Sequence, residues 1–166
     1  MHRFITLLLM PCAAILPATA AALSSDREQP MYVEADRADI DDKRGISVYR
    51  GNVKINQGTL QLTADELTVH TQDGDITQAI AVGRPATYRQ RPDNKTEDVE
   101  AESLRMEYDA LGQKIILLQK AEVRQAGDTF SSERIHYDIA QDKVNAGEGA
   151  PGDRVRITIQ PKKGSD

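Results

Sequence analysis

A strand that buries one face repeats its apolar side chains every second residue, so a step of three inside such a run marks a break in the structure. This chain makes that break four times. Val33 and Ala35 are followed by Ala38 and Ile40, Leu62 and Ala64 by Leu67 and Val69, Val99 and Ala101 by Leu104 and Met106, and Phe130 and Ser132 by Ile135 and Tyr137. In each copy a small residue precedes an acid (Asp36, Asp65, Glu102, Glu133), and the small residues lie 29, 37 and 31 positions apart. That is the period of a stacked supersecondary unit.

One copy taken alone does not separate strand from helix. Thr63 and Glu66 have the spacing of a capping box, Leu60, Ala64 and Leu67 fit a helical face, and "AESLRMEYDAL" is rich in helix formers. The sibling copies favour strands: "TVHTQ" is β-branched and polar, "ADIDDKRG" carries charge on nearly every face, and "DDKRG", "QDGD", "DALGQ" and "IAQDK" supply turns. A step of three within a period of two is then a bulge or bend, which turns the chain through a corner while both arms keep their apolar side inward. The returning segments follow suit. "ISVYRGNVKI" places Ile46 and Val48, breaks at Gly51 and resumes at Val53 and Ile55. "IILLQKAEV" places Ile116 and Leu118 and resumes at Val123, with Ala121 where Gly51 stood, and "AIAVGRPATY" runs through Gly83 to Tyr88, with Pro85 indicating an edge or bulge. The expected fold is all-β: four pairs of bent strands stacked into an elongated antiparallel sandwich or roll.

The first twenty residues read as a secretory signal: basic Arg3, an apolar stretch from Phe4 to Leu16, and small Ala18 and Ala20 before the cut, with Ala22 offering a second site. The competing reading, a retained anchor, needs a span of roughly 20 apolar residues. Cys12 lies inside this segment and follows Pro11, where a lipoprotein signal needs a small residue. The mature chain would therefore have no cysteine, which excludes disulfides, thiolate metal sites and a cysteine nucleophile. Loss of Arg3 leaves 20 basic residues against 26 acidic ones, a net of −6. Nucleic acid is not an expected partner, because phosphate neutralisation needs clustered cations.

Catalytic chemistry finds little footing. His70 ends a strand, and His136 falls between inward Ile135 and Tyr137, so both are expected on the surface. There is neither a G-x-S-x-G elbow nor a phosphate loop of the G-x-x-x-x-G-K-[ST] type. Asp39, Asp41 and Asp42, or Asp73 and Asp75, have calcium-like or glycosidase-like spacing but fall in turns or on outward positions, where solvated acids are ordinary. No enzyme activity, cofactor or metal is expected. The apolar repeat positions are the organised signal, in a composition 39% apolar, 4% aromatic and without tryptophan.

Four segments in order, "QPMYVEAD", "YRGNVKINQGTLQLTADELTV", "GRPATYRQ" and "RIHYDIAQDKV", resemble the LptA (OstA-like) family of periplasmic lipopolysaccharide transport proteins, and the likeness spans nearly all of 29–160. It departs at "LQKAEV", where the family usually has glycine and asparagine in place of Lys120 and Ala121. The resemblance implies a twisted antiparallel β-jellyroll over 29–160 with a short flexible tail at 161–166. It also implies an interior groove for the acyl chains of lipid A, and ends that join related jellyrolls: an LptC-like inner-membrane protein and the N-terminal domain of an LptD-like outer-membrane protein. The residues expected to line that groove are Met31, Val33, Ile40, Val48, Val53, Ile55, Leu62, Leu67, Val69, Tyr88, Val99, Leu104, Met106, Tyr108, Leu118, Val123, Phe130, Ile135 and Tyr137. A buried methylene is worth about 0.8 kcal/mol, so a chain of about a dozen carbons would cost on the order of 10 kcal/mol to leave in water. A structural or glycan-binding β-roll is the competing reading.

The last strand, in "RVRITIQP", alternates Val155, Ile157 and Ile159 with polar residues. It and the first strand, around Met31, Tyr32 and Val33, would each leave an unpaired edge, one at either end of the roll. Head-to-tail self-pairing of those edges is the expected mode of assembly, against which Pro161, Lys162 and Lys163 would act as edge blunting.

Overall fold

The computed structural model describes residues 26, 28–92, 95–147 and 153–161. The signal-peptide reading and most of the expected tail lie outside them. Ten strands follow in order: β1 (Tyr32–Glu34), β2 (Arg37–Asp41), β3 (Ile46–Gln57), β4 (Leu60–Gln72), β5 (Asp75–Gln90), β6 (Val99–Asp109), β7 (Lys114–Gln125), β8 (Asp128–Asp138), β9 (Lys143–Ala146) and β10 (Arg156–Thr158). All pairings are antiparallel, in the order β1-β3-β4-β5-β6-β7-β8-β10, with β2 also on β3 and β9 also on β8. The six long strands are each interrupted along one shared line, and the β4–β5 pair has a further irregularity between His70 and Thr71, near its turn. The shared register shifts line up, between Arg50 and Val53, Thr63 and Glu66, Val82 and Ala86, Glu102 and Arg105, and Leu118 and Ala121. The bend divides the sheet into two walls that meet along one corner. Wall A holds β1, the halves of β3 to β8 near their odd-numbered hairpins (53–57, 60–64, 86–90, 99–103, 121–125, 128–132) and β10; wall B holds β2, the other halves and β9. This is the expected twisted antiparallel β-jellyroll.

The corner is built differently on alternate strands. Strands β4, β6 and β8 step three residues between inward side chains: Ala64 to Leu67, Ser103 to Met106, and Ser132 to Ile135. Strands β3 and β7 step four, from Tyr49 to Val53 and from Leu117 to Ala121, and place two consecutive residues at positive φ in between. These are Gly51 (77°) with Asn52 (47°), and Gln119 (65°) with Lys120 (54°). At Gly51 the glycine is needed twice over, because a Cβ there would lie 2.2 Å from the Asp36 carboxylate. Asp36 in turn accepts from the Asn52 side chain at 2.9 Å, and its N–H donates to the Gly51 carbonyl.

These steps of four correct the phase expected from the sequence. Val48 and Ile46 pair with Thr68 and His70 on the outer face of wall B, while Tyr49, opposite Leu67, packs on the core. In the run Ile115–Leu118 the inward pair is Ile115 and Leu117; Ile116 and Leu118 face outward. The positive-φ pair is Gln119–Lys120, one residue earlier than the Lys120–Ala121 alignment, and Ala121 is an inward core residue. Leu104 is displaced as well. Ser103 takes the last inward place before the corner, satisfied by donating to the Arg105 carbonyl at 2.8 Å, and Leu104 becomes the bend residue. With Ser103 in place of Ala101, the spacing from Ser103 to Ser132 is 29, the same as from Ala35 to Ala64.

Candidate functional site: the apolar interior

Both walls turn one apolar face inward. From wall A come Val53, Ile55, Ala64, Ala86, Tyr88, Val99, Ala101, Ala121 and Val123; from wall B come Leu67, Ala81, Met106, Ile115, Leu117, Ile135, Tyr137 and Ile139. Leu62, Val69, Tyr108 and Phe130 pack against this cluster while partly exposed. Thus most of the residues expected to line the groove share one buried interior; Val48, Leu104 and Leu118 lie off it, and Met31, Val33 and Ile40 are exposed at one end rather than packed in it. In the middle of the roll the interior is filled by side chains, with Leu117, Ile135 and Ala86 entirely without solvent exposure.

At the ends the same face is open. Ile40 pairs with Ser47 and so continues the inward row of Tyr49, yet it is 62% exposed. Val33 lies opposite buried Ile55, and Met31 and Tyr32 beside it are also exposed. At the other end Ile157 lies opposite Phe130 and is 54% exposed, flanked by exposed Val155 and Ile159. The cause is lack of a neighbour among the described residues: β1 and β2 pair on one side only, with β3, and β9 and β10 on one side only, with β8.

The rims of the walls, opposite the corner, carry polar closures that sequence reasoning missed. Asp26, before the expected start of the domain, is 6% exposed and accepts from the Thr59 N–H at 2.8 Å, the Thr59 hydroxyl at 2.7 Å and the Gln90 amide at 2.7 Å. Gln90 also accepts from the hydroxyl of inward Tyr88. Burial alone would raise the Asp26 carboxyl; the hydrogen bonds from Thr59 and Gln90 outweigh it and hold the group below its ordinary value. Burial pushes the Tyr88 hydroxyl far up, and Tyr137 and Tyr108 of the opposite wall, which belong to or pack against the same core, add to this. On the other half of the rim, Asp142 in the β8–β9 turn accepts from Gln125 of wall A and from Tyr137 of wall B, each at 3.1 Å, and pairs with Lys95 at 3.0 Å. Burial would raise this carboxyl too, but the bonds from Gln125, Lys95 and Tyr137 lower it.

The outer faces differ from the interior in kind. A shallow concavity on wall A is lined by Thr63, Thr87, Arg89, Glu100, Glu102 and Glu122 among others, a charged surface unlike an acyl host. Among the described residues there is no cluster of three or more His, Cys, Asp or Glu side chains that could hold a metal, and no helix long and apolar enough to cross a membrane.

Comparison with known proteins agrees with this architecture. Residues 32–143 match the family model described as LptA/(LptD N-terminal domain) LPS transport protein. The lipopolysaccharide export system protein LptH of Pseudomonas aeruginosa is 40% identical over 158 residues, covering 91% of this chain and 90% of that protein. The export system protein LptA of Escherichia coli K12 is 28% identical over 156 residues, covering 93% and 82%. The crystal structure of LptH, described as the LptA homologous periplasmic component of the lipopolysaccharide transport device of P. aeruginosa, superposes with a TM-score of 0.75 at 39% identity, covering 82% of this chain and 99% of that one. The chain with the twice-walled roll and the open apolar ends belongs to the LptA/(LptD N-terminal domain) family of LPS transport proteins.

Proposed function

We propose that this protein is a periplasmic carrier of lipopolysaccharide in outer-membrane assembly. It holds the acyl chains of lipid A between its walls and passes them along as a passive conduit between inner and outer membranes. The observation that carries this reading is the single apolar face that runs through every strand and remains uncovered at both ends, in a chain of this family. The acyl contacts are assigned to the inward residues, Val33, Val53, Leu62, Leu67, Met106 and Phe130 among them. A purely structural roll is favoured by the filled middle of the interior, so the test must separate packing from lipid contact. A photo-reactive residue at Leu62 or Met106 should crosslink lipopolysaccharide, whereas one at outward Thr63 or Arg105 should not. Equal labelling of both faces would remove the groove.

The partners follow from the ends. Each wall contains eight arms, and alternation makes its first and last arms run in opposite directions. A second roll placed end to end therefore sets β1 beside β10 and β2 beside β9, both antiparallel, and covers Met31 and Val33 with Val155, Ile157 and Ile159, and Ile40 with Val144 and Ala146 of β9. Such a contact joins unlike surfaces and does not close, which yields open chains of rolls. In the cell the two ends would meet an LptC-like inner-membrane jellyroll and the N-terminal domain of an LptD-like outer-membrane protein. Transport energy comes from elsewhere in this reading. Purified protein with intrinsic ATPase activity, abolished by one substitution in it, would refute that.

A further inference from the structure

Among the described residues the strand pairings run within each wall and none crosses the mouth between the two rims. The walls are continuous at the corner, so they can part only at that mouth. Asp142 spans it. Its carboxylate sits on the rim of wall B with the Tyr137 hydroxyl, and it takes the Gln125 amide and the Lys95 ammonium from the rim of wall A. Asp26, by contrast, is held by Thr59 and Gln90, which both belong to wall A, so it covers the rim without tying the walls together. The middle of the interior is filled by side chains, and acyl chains seated there require the walls to move apart.

We propose that Asp142, Gln125 and Lys95 form a clasp that gates sideways entry of acyl chains through the mouth, an inference that rests on the lipid-carrier reading above. The clasp suits a gate because it is cheap to open. The Lys95 and Asp142 side chains are 50% and 37% exposed, and ion pairs with that much solvent are individually weak. Tyr137 links the clasp to the interior, since its ring is an inward core residue and its hydroxyl is a donor to Asp142. A chain entering beside Tyr137 would displace the ring and with it one of the clasp's hydrogen bonds.

The test replaces Gln125 and Asp142 by cysteine and joins them with a short bis-maleimide; Cys12 is the single native cysteine, near the N-terminus. Loading of fluorescent lipopolysaccharide is followed in the purified protein before and after linking, with thermal melting as the control for folding. The linked form should load at least about tenfold more slowly than the unlinked double variant, with an equal or higher melting point, as expected for a locked lid. Asp142→Asn, which keeps the turn and removes the charge, should load faster than the unmodified protein. If linking leaves the loading rate unchanged while the unmodified protein binds lipid, entry is by the ends and the clasp is not a gate. If the unmodified protein binds no lipopolysaccharide at all, the carrier reading falls and the gate with it.

Discussion

The middle of the roll and its ends are made of the same material. Leu117 and Ile135 in the middle and Ile40 and Ile157 at the ends are all aliphatic, all on the inward face, and all next to a paired strand. Yet the first two are 0% exposed and the last two more than half exposed. Side-chain type does not make the difference; the number of neighbouring strands does. A sheet closed on itself has no edges, whereas a stack of bent strands has two, and here each edge carries an apolar row. Among the described residues the ends are thus an uncovered part of the same core, the surface that the proposed end-to-end contact would bury.

The comparison can be broken most sharply by shortening side chains in the two places. Leu117→Ala removes methyl groups from a filled interior and should destabilise the protein by about 2–5 kcal/mol in denaturant titration. Ile157→Ala removes similar groups where water already reaches them, and should cost about 0.5 kcal/mol or less in the monomer. Equal losses at the two sites would mean that the ends are already covered in solution.

Deleting Val155 to Asp166 should remove concentration-dependent oligomers in sedimentation while leaving a β-rich folded monomer, because β10 is a short edge strand that pairs with β8 and bears no further strand among the described residues. Oligomers that persist unchanged would dissociate assembly from that edge. A milder probe is Ile157→Arg, which keeps the strand and charges its inward face. It should weaken end-to-end association by about tenfold or more, given the cost of burying an unpaired charge in an interface.

The smallest effect is expected with acid. In the folded protein Asp26 and Asp142 both lie below the ordinary carboxyl value of 3.8. The unfolded chain therefore binds more protons at these sites, so their stabilisation is complete above the ordinary carboxylate range and is lost as pH falls through the lowered values. Asp26→Asn should flatten part of the stability decline on the acid side in pH-dependent melting. Asp142→Asn should flatten less of it, because Asp142 is the more exposed of the two.

The stretch from Leu62 to Val69 shows how far sequence alone reaches. The step of three between Ala64 and Leu67 marked a corner, its recurrence argued for stacked strand pairs, and "GNVKINQGT" with "GRPATYRQ" pointed to the family. Those conclusions depend on local chemistry: the alternation of a strand, the turns after it, and the need for an extra residue at a bend. Four apolar residues in a row, Ile115 to Leu118, read equally well in either phase. The choice came from across the corner, where two residues at positive φ turn a step of three into a step of four. Ser103 shows the same limit, since a serine looks outward in a pattern of polarity, and it is the Arg105 carbonyl at the bend that lets it point in.

What the sequence determined by itself is the class of fold, the repeat and the apolar inward face, because each follows from residue types at short separations. Tertiary structure decided which of two adjacent side chains is inside on β3 and β7, and where that face is uncovered. It also brought Asp142 into reach of Gln125 and Lys95, and Asp26 into reach of Thr59 and Gln90. Those contacts join residues 17, 47, 33 and 64 positions apart. No local pattern encodes such a meeting; it exists only once the bends have set the rims of the walls in place.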